Sequence, residues 1–272
     1  MYKTIIIGKN SNLSVLLNKN INNCFLISSQ NLYKNIHILS KYKSQIINIV
    51  FNNFQPATKL GNLDSSSKYI TNAILVTAMV LDYFKDSNIN KIIYTSSSSV
   101  YGNNILCKET DELKPMNLHA SLKVANEKLI EKYCLDNSID YTVARIFNMY
   151  GGDDKFSVVS KIIKSYENNQ ELTIVNNGNA IRDFIHINDI VSIYKKLLDL
   201  KNVKILNIGT GHGSSIKGIL DFLEHNGINI KIKNIFMDEL KTSTSDARLL
   251  YEIIGTKEFI NVEDYLKQEF NL

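Results

Sequence analysis

Residues 92–102 read IIYTSSSSVYG, and residues 115–127 read PMNLHASLKVANE. The first stretch is a short β-branched and aromatic run that stops in a block of serines and a glycine. Runs of that length and composition form strands, and the small residues that follow them form turns. The second stretch opens after Pro115 and carries a helical pattern over residues 120–134. Strand, turn and helix in that order make one βα unit.

The same unit recurs on both sides. Residues 4–7 lead through Gly8 to a helix near residues 13–17, and strands are predicted at 24–27, 46–51 and 91–94. Residues 68–85 place Ile70, Ala73, Ile74, Val80, Leu81 and Phe84 at helical spacing. A strand at 141–147 follows, and after Gly151 the alternation continues. Helices are predicted at 156–167, 187–198 and 216–225, and strands at 171–175, 204–208 and 228–235. Alternation of this kind implies α/β architecture with a parallel sheet, because parallel strands need a crossover element. Ligands of open parallel sheets lie outside the carboxyl ends of the strands, so the chemistry is sought just after each strand.

Composition narrows the class. The 272 residues are 44% hydrophobic and 21% charged, which is too apolar for a disordered chain and long enough for a sizeable core. No apolar stretch is long enough to cross a bilayer, and residues 1–10 read as a first strand and turn instead of a signal peptide. The net charge is +4, with basic residues scattered, which argues against nucleic acid. Cys24, Cys107 and Cys134 are an odd number without a CxxC, so no disulfide framework or zinc knuckle is indicated. A cytoplasmic protein is the expectation.

The blocks at 92–102 and 115–127 resemble the extended short-chain dehydrogenase/reductase family, in its nucleotide-sugar epimerase/dehydratase branch. Three further blocks fall in the family's order: ARIFNMYG (144–151), LTIVNNGNAIRDFIHINDI (172–190) and LNIGTGHG (206–213). Residues 245–255 resemble its closing segment. The resemblance implies a Rossmann-like, doubly wound sheet with a smaller C-terminal α/β domain for substrate. The expected division is 1–148 with 184–208 for the dinucleotide, and 149–183 with 209–272 for a nucleotide-diphosphate sugar.

The resemblance also implies the roles of particular residues. Ser97 is the hydroxyl that polarises the sugar oxygen, with Ser98 beside the substrate. Lys123 binds the cofactor ribose and lowers the pKa of the acid/base one turn earlier. Asn148 and Arg182 contact the substrate diphosphate, a task suited to a guanidinium fork. Gly8, Ser11, Ser14 and Ser28 mark the NAD or NADP site. From the residues alone, Ser11 or Asn12 is equally an N-cap, Arg182 and Asp183 are equally members of surface ion pairs, and the GTGHG stretch is a turn into a helix capped by Ser214 or Ser215. The acids of GGDD (151–154) are read as solvent-facing, with no metal expected.

Several positions depart from the family pattern. His119 stands where the family has its tyrosine, four residues before Lys123. It is a substitute acid/base, held toward neutral by the nearby cation, or it marks a homologue that binds nucleotide sugar without turnover, or it is simply a polar helix-start residue. Ser98 and Ser99 occupy the Asp-Glu positions of the 4,6-dehydratases, which argues against dehydration. Ser11 and Ser14 replace glycines, and Ser28, Ser29 and Gln30 stand where an acid would grip a ribose; Lys34 nearby suits a 2′-phosphate. VFNN (50–53) replaces an HxAA-like segment. The expected activity is hydride transfer at a sugar ring carbon, most plausibly C4, by epimerisation or ketoreduction. Homodimerisation through helices 68–85 and 120–134 and a place in polysaccharide biosynthesis are implied by resemblance alone.

Overall fold

The computed structural model describes residues 2–53, 66–255 and 258–272. The chain begins β1 (Lys3–Ile7), α1 (Asn12–Asn20), β2 (Cys24–Ile27), α2 (Ser29–Lys34) and β3 (Ile47–Phe51). Next come α3 (Ser66–Ile70), α4 (Val76–Tyr83), β4 (Ile89–Ser97), β5 (Leu106–Cys107), α5 (Leu118–Asp136), β6 (Asp140–Ile146) and β7 (Asn148–Tyr150). They are followed by α6 (Val158–Glu167), β8 (Leu172–Val175), β9 (Ile181–His186), α7 (Ile187–Asp199), β10 (Ile205–Ile208) and β11 (Gly213–Ser215). The chain closes with α8 (Ile216–His225), β12 (Ile232–Ile235), β13 (Thr242–Ser245), α9 (Arg248–Ile254) and α10 (Val262–Phe270).

Six strands form one sheet in the order β10-β6-β4-β3-β1-β2. The pairs β1–β2, β1–β3 and β3–β4 are parallel, and strand order reverses at β1, which has β2 on one side and β3 on the other, as in a doubly wound sheet. All five residues of β3 are buried, which is why INIVF is almost continuously apolar. Ile5, Ile49, Phe51, Val80, Phe84, Ile92 and Val143 pack together in its core.

Contacts divide the chain into two units. The first holds residues 1–100, 113–145 and 191–206, and the second holds 101–112, 146–190 and 207–272. The division expected from the sequence puts 101–112, 146–148, 184–190 and 207–208 with the dinucleotide half. They group with the second unit because β9 pairs with β7, β11 and β13, and β5 pairs with β13. Sheet pairing, which crosses long stretches of chain, outweighs proximity in sequence. In the second unit β8 and β12 make a separate parallel pair, and Tyr150, Val159, Ile162, Leu172, Phe184, Leu223 and Leu266 share a core.

Several element boundaries differ from the sequence reading, and two of the differences have a visible cause. The strand expected over 228–235 is confined to Ile232–Ile235, because the Ile228 N–H donates to Leu223 O and closes α8. The helix expected over 68–85 contains a π turn at Thr71–Leu75 between α3 and α4. That turn leaves the Ala73 carbonyl to accept from Asn126 Nδ2 at 2.9 Å, Thr77 Oγ1 at 2.7 Å and Asn53 Nδ2 at 3.2 Å. Side-chain amides take up a backbone acceptor freed by the turn, a compensation invisible to periodicity.

Candidate active site

The turn after β1 is built by close backbone approach. Gly8 has φ +117°, and a Cβ there would lie 2.0 Å from the Asn52 carbonyl oxygen at the end of β3. Only glycine meets both conditions. Ser11 is the N-cap residue of α1, but its side chain makes no capping bond. Its hydroxyl instead accepts from Asn52 Nδ2 at 2.7 Å, and the same amide donates to Ser14 Oγ at 2.8 Å. Ser28, at the end of β2, caps α2 by accepting from Asn31 N at 3.2 Å. Lys34 lines a cavity of about 230 Å³ with Gln30, Tyr33, Ser67, Lys68 and Asn72.

The first turn of α1 holds no acid and no side-chain cap, and the Gly8 turn leaves the backbone uncovered by any Cβ. A helix start without acids and an uncluttered glycine turn are what a diphosphate needs.

β4 runs past its predicted end into the serines and finishes at Ser97. Ser97 Oγ accepts from the Ser99 N–H at 3.2 Å and from Ser99 Oγ at 3.0 Å, so its own proton is available to donate. Asn117 caps α5 by accepting from Ala120 N at 2.9 Å, a cap the sequence reading did not single out. One turn into α5, the buried Lys123 donates to Thr95 O at 2.6 Å and lies 5.2 Å from the Tyr94 ring centre. Burial lowers its pKa to about 7, against the opposing pull of Glu127.

His119, in the first turn of the same helix, has its pKa pushed down to about 4, by burial first and by the Lys123 charge second. The sequence reading invoked only the cation. Desolvation is the larger cause because imidazolium loses more hydration than imidazole on burial. At neutral pH the ring is uncharged.

Beneath these groups Glu127 ties α5 to β4 and β6. It pairs with buried Arg145 at 2.8 Å, and Ser96 Oγ donates to the same carboxylate. Thr95 in turn shares a 2.8 Å hydrogen bond with Tyr194.

In the second unit Asn148, on β7, donates through Nδ2 to Asp183 O at 3.1 Å. Arg182 is partly exposed on β9 and is 3.4 Å from Glu239 Oε2, with Nη1 donating to Ile181 O. Its neighbour Asp183 corrects the surface-pair alternative, being fully buried. The Asp183 carboxylate accepts from Thr210 N and Oγ1, Gly211 N, and Ser245 N and Oγ, at 2.6–3.0 Å. The GTG turn is thus drawn around a buried acidic side chain, and Ser215 then caps α8 by accepting from Gly218 N. A cavity of about 540 Å³ lies beside it, with Lys108, His212, Asp246, Arg248 and Tyr251 in its lining. Asp154 Oδ1 accepts from Phe156 N and its Oδ2 from Ser157 N, leading the chain into α6.

A family model described as the NAD dependent epimerase/dehydratase family matches residues 32–209, more than half of the chain. The chain belongs to that family. Among curated relatives of this epimerase/dehydratase family member is the ADP-L-glycero-D-manno-heptose-6-epimerase of Brachyspira hyodysenteriae. It is 29% identical over 76% of this chain and 70% of its own length. The chain spans about half the length of other curated relatives it matches, 52% in one case and 42% in another. Among solved structures, MoeE5 in complex with UDP-glucuronic acid and NAD superposes with TM-score 0.86 at 17% identity, covering 99% of both chains. UDP-glucuronic acid 4-epimerase from Bacillus cereus superposes with TM-score 0.82 at 21% identity, covering 99% of this chain and 98% of the other. The family member shares their fold.

Among the described residues no helix is long and apolar enough to cross a membrane. No group of three or more His, Cys, Asp or Glu among them is placed to hold a metal ion. Asn52, Ser99 and Asn117 were missed as partners of the candidate residues. The only trace of Asn52 in the sequence was the departure of VFNN from the HxAA-like pattern.

Proposed function

We propose that this chain is an NAD-dependent enzyme acting on a nucleotide-diphosphate sugar. It moves hydride at a ring carbon, C4, in epimerisation or ketoreduction. The observation that carries the reading is the buried Lys123 ammonium, bonded to Thr95 O two residues before the Ser97 hydroxyl and one helical turn after His119. Gly8, Ser11 and Ser14 hold the dinucleotide, Lys123 its ribose, and Ser28 flanks the adenosine end. When bound, the dinucleotide supplies a hydride acceptor and donor. Ser97 donates a hydrogen bond to the sugar oxygen, and neutral His119 takes the proton of that hydroxyl on oxidation and returns it on reduction. A ring whose pKa is about 4 is a weak base, so it acts best when reprotonating a ketone is not required of a standing imidazolium. Arg182 and Asn148 bind the diphosphate, and Ser98 lies beside the sugar.

Family membership and the solved complexes that hold NAD together with a UDP-sugar support this reading. A homodimer through α3–α4 and α5 belongs to the same proposal, supported by the exposed Ile70, Leu75, Leu118 and Leu135 on those helices. The serines at 98 and 99 leave 4,6-dehydration without its acids.

One observation favours a second reading. The tyrosine of the family pattern is replaced by a histidine that stays neutral, which suits a homologue that binds nucleotide sugar without converting it. Purified protein should be assayed against a panel of nucleotide sugars with NAD, with product analysis. Conversion of any member supports the enzyme. Saturable binding of both ligands without product supports the second reading, and failure to bind NAD sinks the first.

A further inference from the structure

We infer that Asn52 is a positioning residue of the dinucleotide site, presenting the Ser11 hydroxyl as a hydrogen-bond donor to the cofactor diphosphate. This inference rests on the NAD-dependent reading and concerns how the chain meets that ligand without two of the expected glycines.

The Asn52 amide has two protons, and both are spent on serines: Ser11 Oγ at 2.7 Å and Ser14 Oγ at 2.8 Å. Each hydroxyl oxygen therefore accepts from Asn52, and each hydroxyl proton must be donated elsewhere. Ser14 is fully buried, so its hydroxyl is confined to the packing between α1 and the sheet. Ser11 is only partly buried and its side chain makes no bond to its own helix. Its proton is the one free to meet a ligand.

Asn52 is well anchored for this task. Its N–H donates to Ile7 O at 2.8 Å, extending the β1–β3 ladder by one bond, and its carbonyl oxygen occupies the space that a Gly8 side chain would need. Asn52 is thus fixed by β1 and β3 and not by the helix whose serine it orients. A diphosphate only accepts hydrogen bonds, so a serine held as a donor complements it, whereas a freely rotating serine presents lone pairs as often. Glycines allow the backbone to approach a diphosphate closely; here a fixed hydroxyl bridges a slightly longer gap. Serines at 11 and 14 and asparagine at 52 are one compensated set.

The test is titration of NAD into the full chain by calorimetry, with adenosine, which lacks phosphate, as the second probe. Ser11→Ala should weaken NAD about tenfold, Ser11→Thr should keep it within about twofold, and adenosine should bind all of them alike. Asn52→Ala should weaken NAD to a similar degree, and the double variant Ser11→Ala/Asn52→Ala no further than either single one. Should Asn52→Ala not fold, the Ser11→Ala and Ser11→Thr pair decides alone. Unchanged NAD affinity in Ser11→Ala, additive losses in the double variant, or a parallel loss of adenosine overturns the inference. A parent chain that binds no NAD overturns the NAD-dependent reading itself, a result distinct from a parent that binds and a Ser11→Ala variant that matches it.

Discussion

His119 and Lys123 stand one helical turn apart on α5, and both pKa values are depressed: the imidazole to about 4, with the Lys123 charge as second cause, and the ammonium to about 7, against the opposing pull of Glu127. Burial is the first cause in both cases. The pair therefore carries at most one positive charge at neutral pH, and that charge sits on the lysine.

Acid sensitivity follows from the histidine. Its pKa is lowered on folding, so between about pH 6.5 and 4 the unfolded chain binds a proton that the folded chain refuses. Stability therefore falls as pH drops through that window, by up to ~3 kcal/mol for a shift of this size. Replacing His119 by Asn should flatten the dependence between those pH values. Urea denaturation at a series of pH values checks this; parallel curves for parent and variant would refute it.

Turnover tests the same residue differently. If His119 moves the proton, His119→Ala should cut kcat by ~10²–10⁴, the usual contribution of a positioned acid/base. His119→Tyr, which reinstates the family's residue beside Lys123, should recover much of the rate. An alanine variant with parental kcat removes the ring from the mechanism.

Arg182 is expected to act on the sugar nucleotide and not on the cofactor. Its guanidinium already faces Glu239 at 3.4 Å, a long contact that a diphosphate can outcompete. Arg182→Ala should weaken nucleotide-sugar binding by about 1.5–3 kcal/mol and leave NAD affinity alone. Glu239→Gln should tighten it, because the arginine no longer has a charged competitor. Equal dissociation constants across the three proteins would return Arg182 to an ordinary surface pair.

Asp183 is a structural prediction. Five donors converge on its buried carboxylate, so Asp183→Ala leaves several buried N–H and O–H groups unsatisfied. A loss of about 3–5 kcal/mol is expected. Thermal unfolding should show it, and a Tm within a degree or two of the parent would mean that water replaces the carboxylate freely.

Much of the fold was legible because strand burial writes itself into composition. KTIII, INIVF and the run before the serines are apolar because helices cover both faces of the sheet, and they align with β1, β3 and β4. The π turn at Thr71–Leu75 was not legible, since its freed carbonyl is satisfied by Asn53 and Asn126 from other elements. The candidate residues Ser97, Lys123 and Arg182 were found by resemblance of local blocks, but their partners Thr95, Ser99 and Glu239 carry no comparable local mark.

By itself, then, the sequence determined the alternation of strands and helices, the family pattern in its central blocks, and the histidine at the tyrosine's place. All three are local, set by side-chain periodicity and by residues a few positions apart. Only the tertiary structure decided which polar groups are buried and whom they meet. Asp183 lies inside a turn from residues 210–211 and a strand from residue 245, and Asn52 reaches back 41 residues to Ser11. Hydrogen bonds of that span are chosen by packing, because a buried donor takes the acceptor that folding brings to it, however far away along the chain.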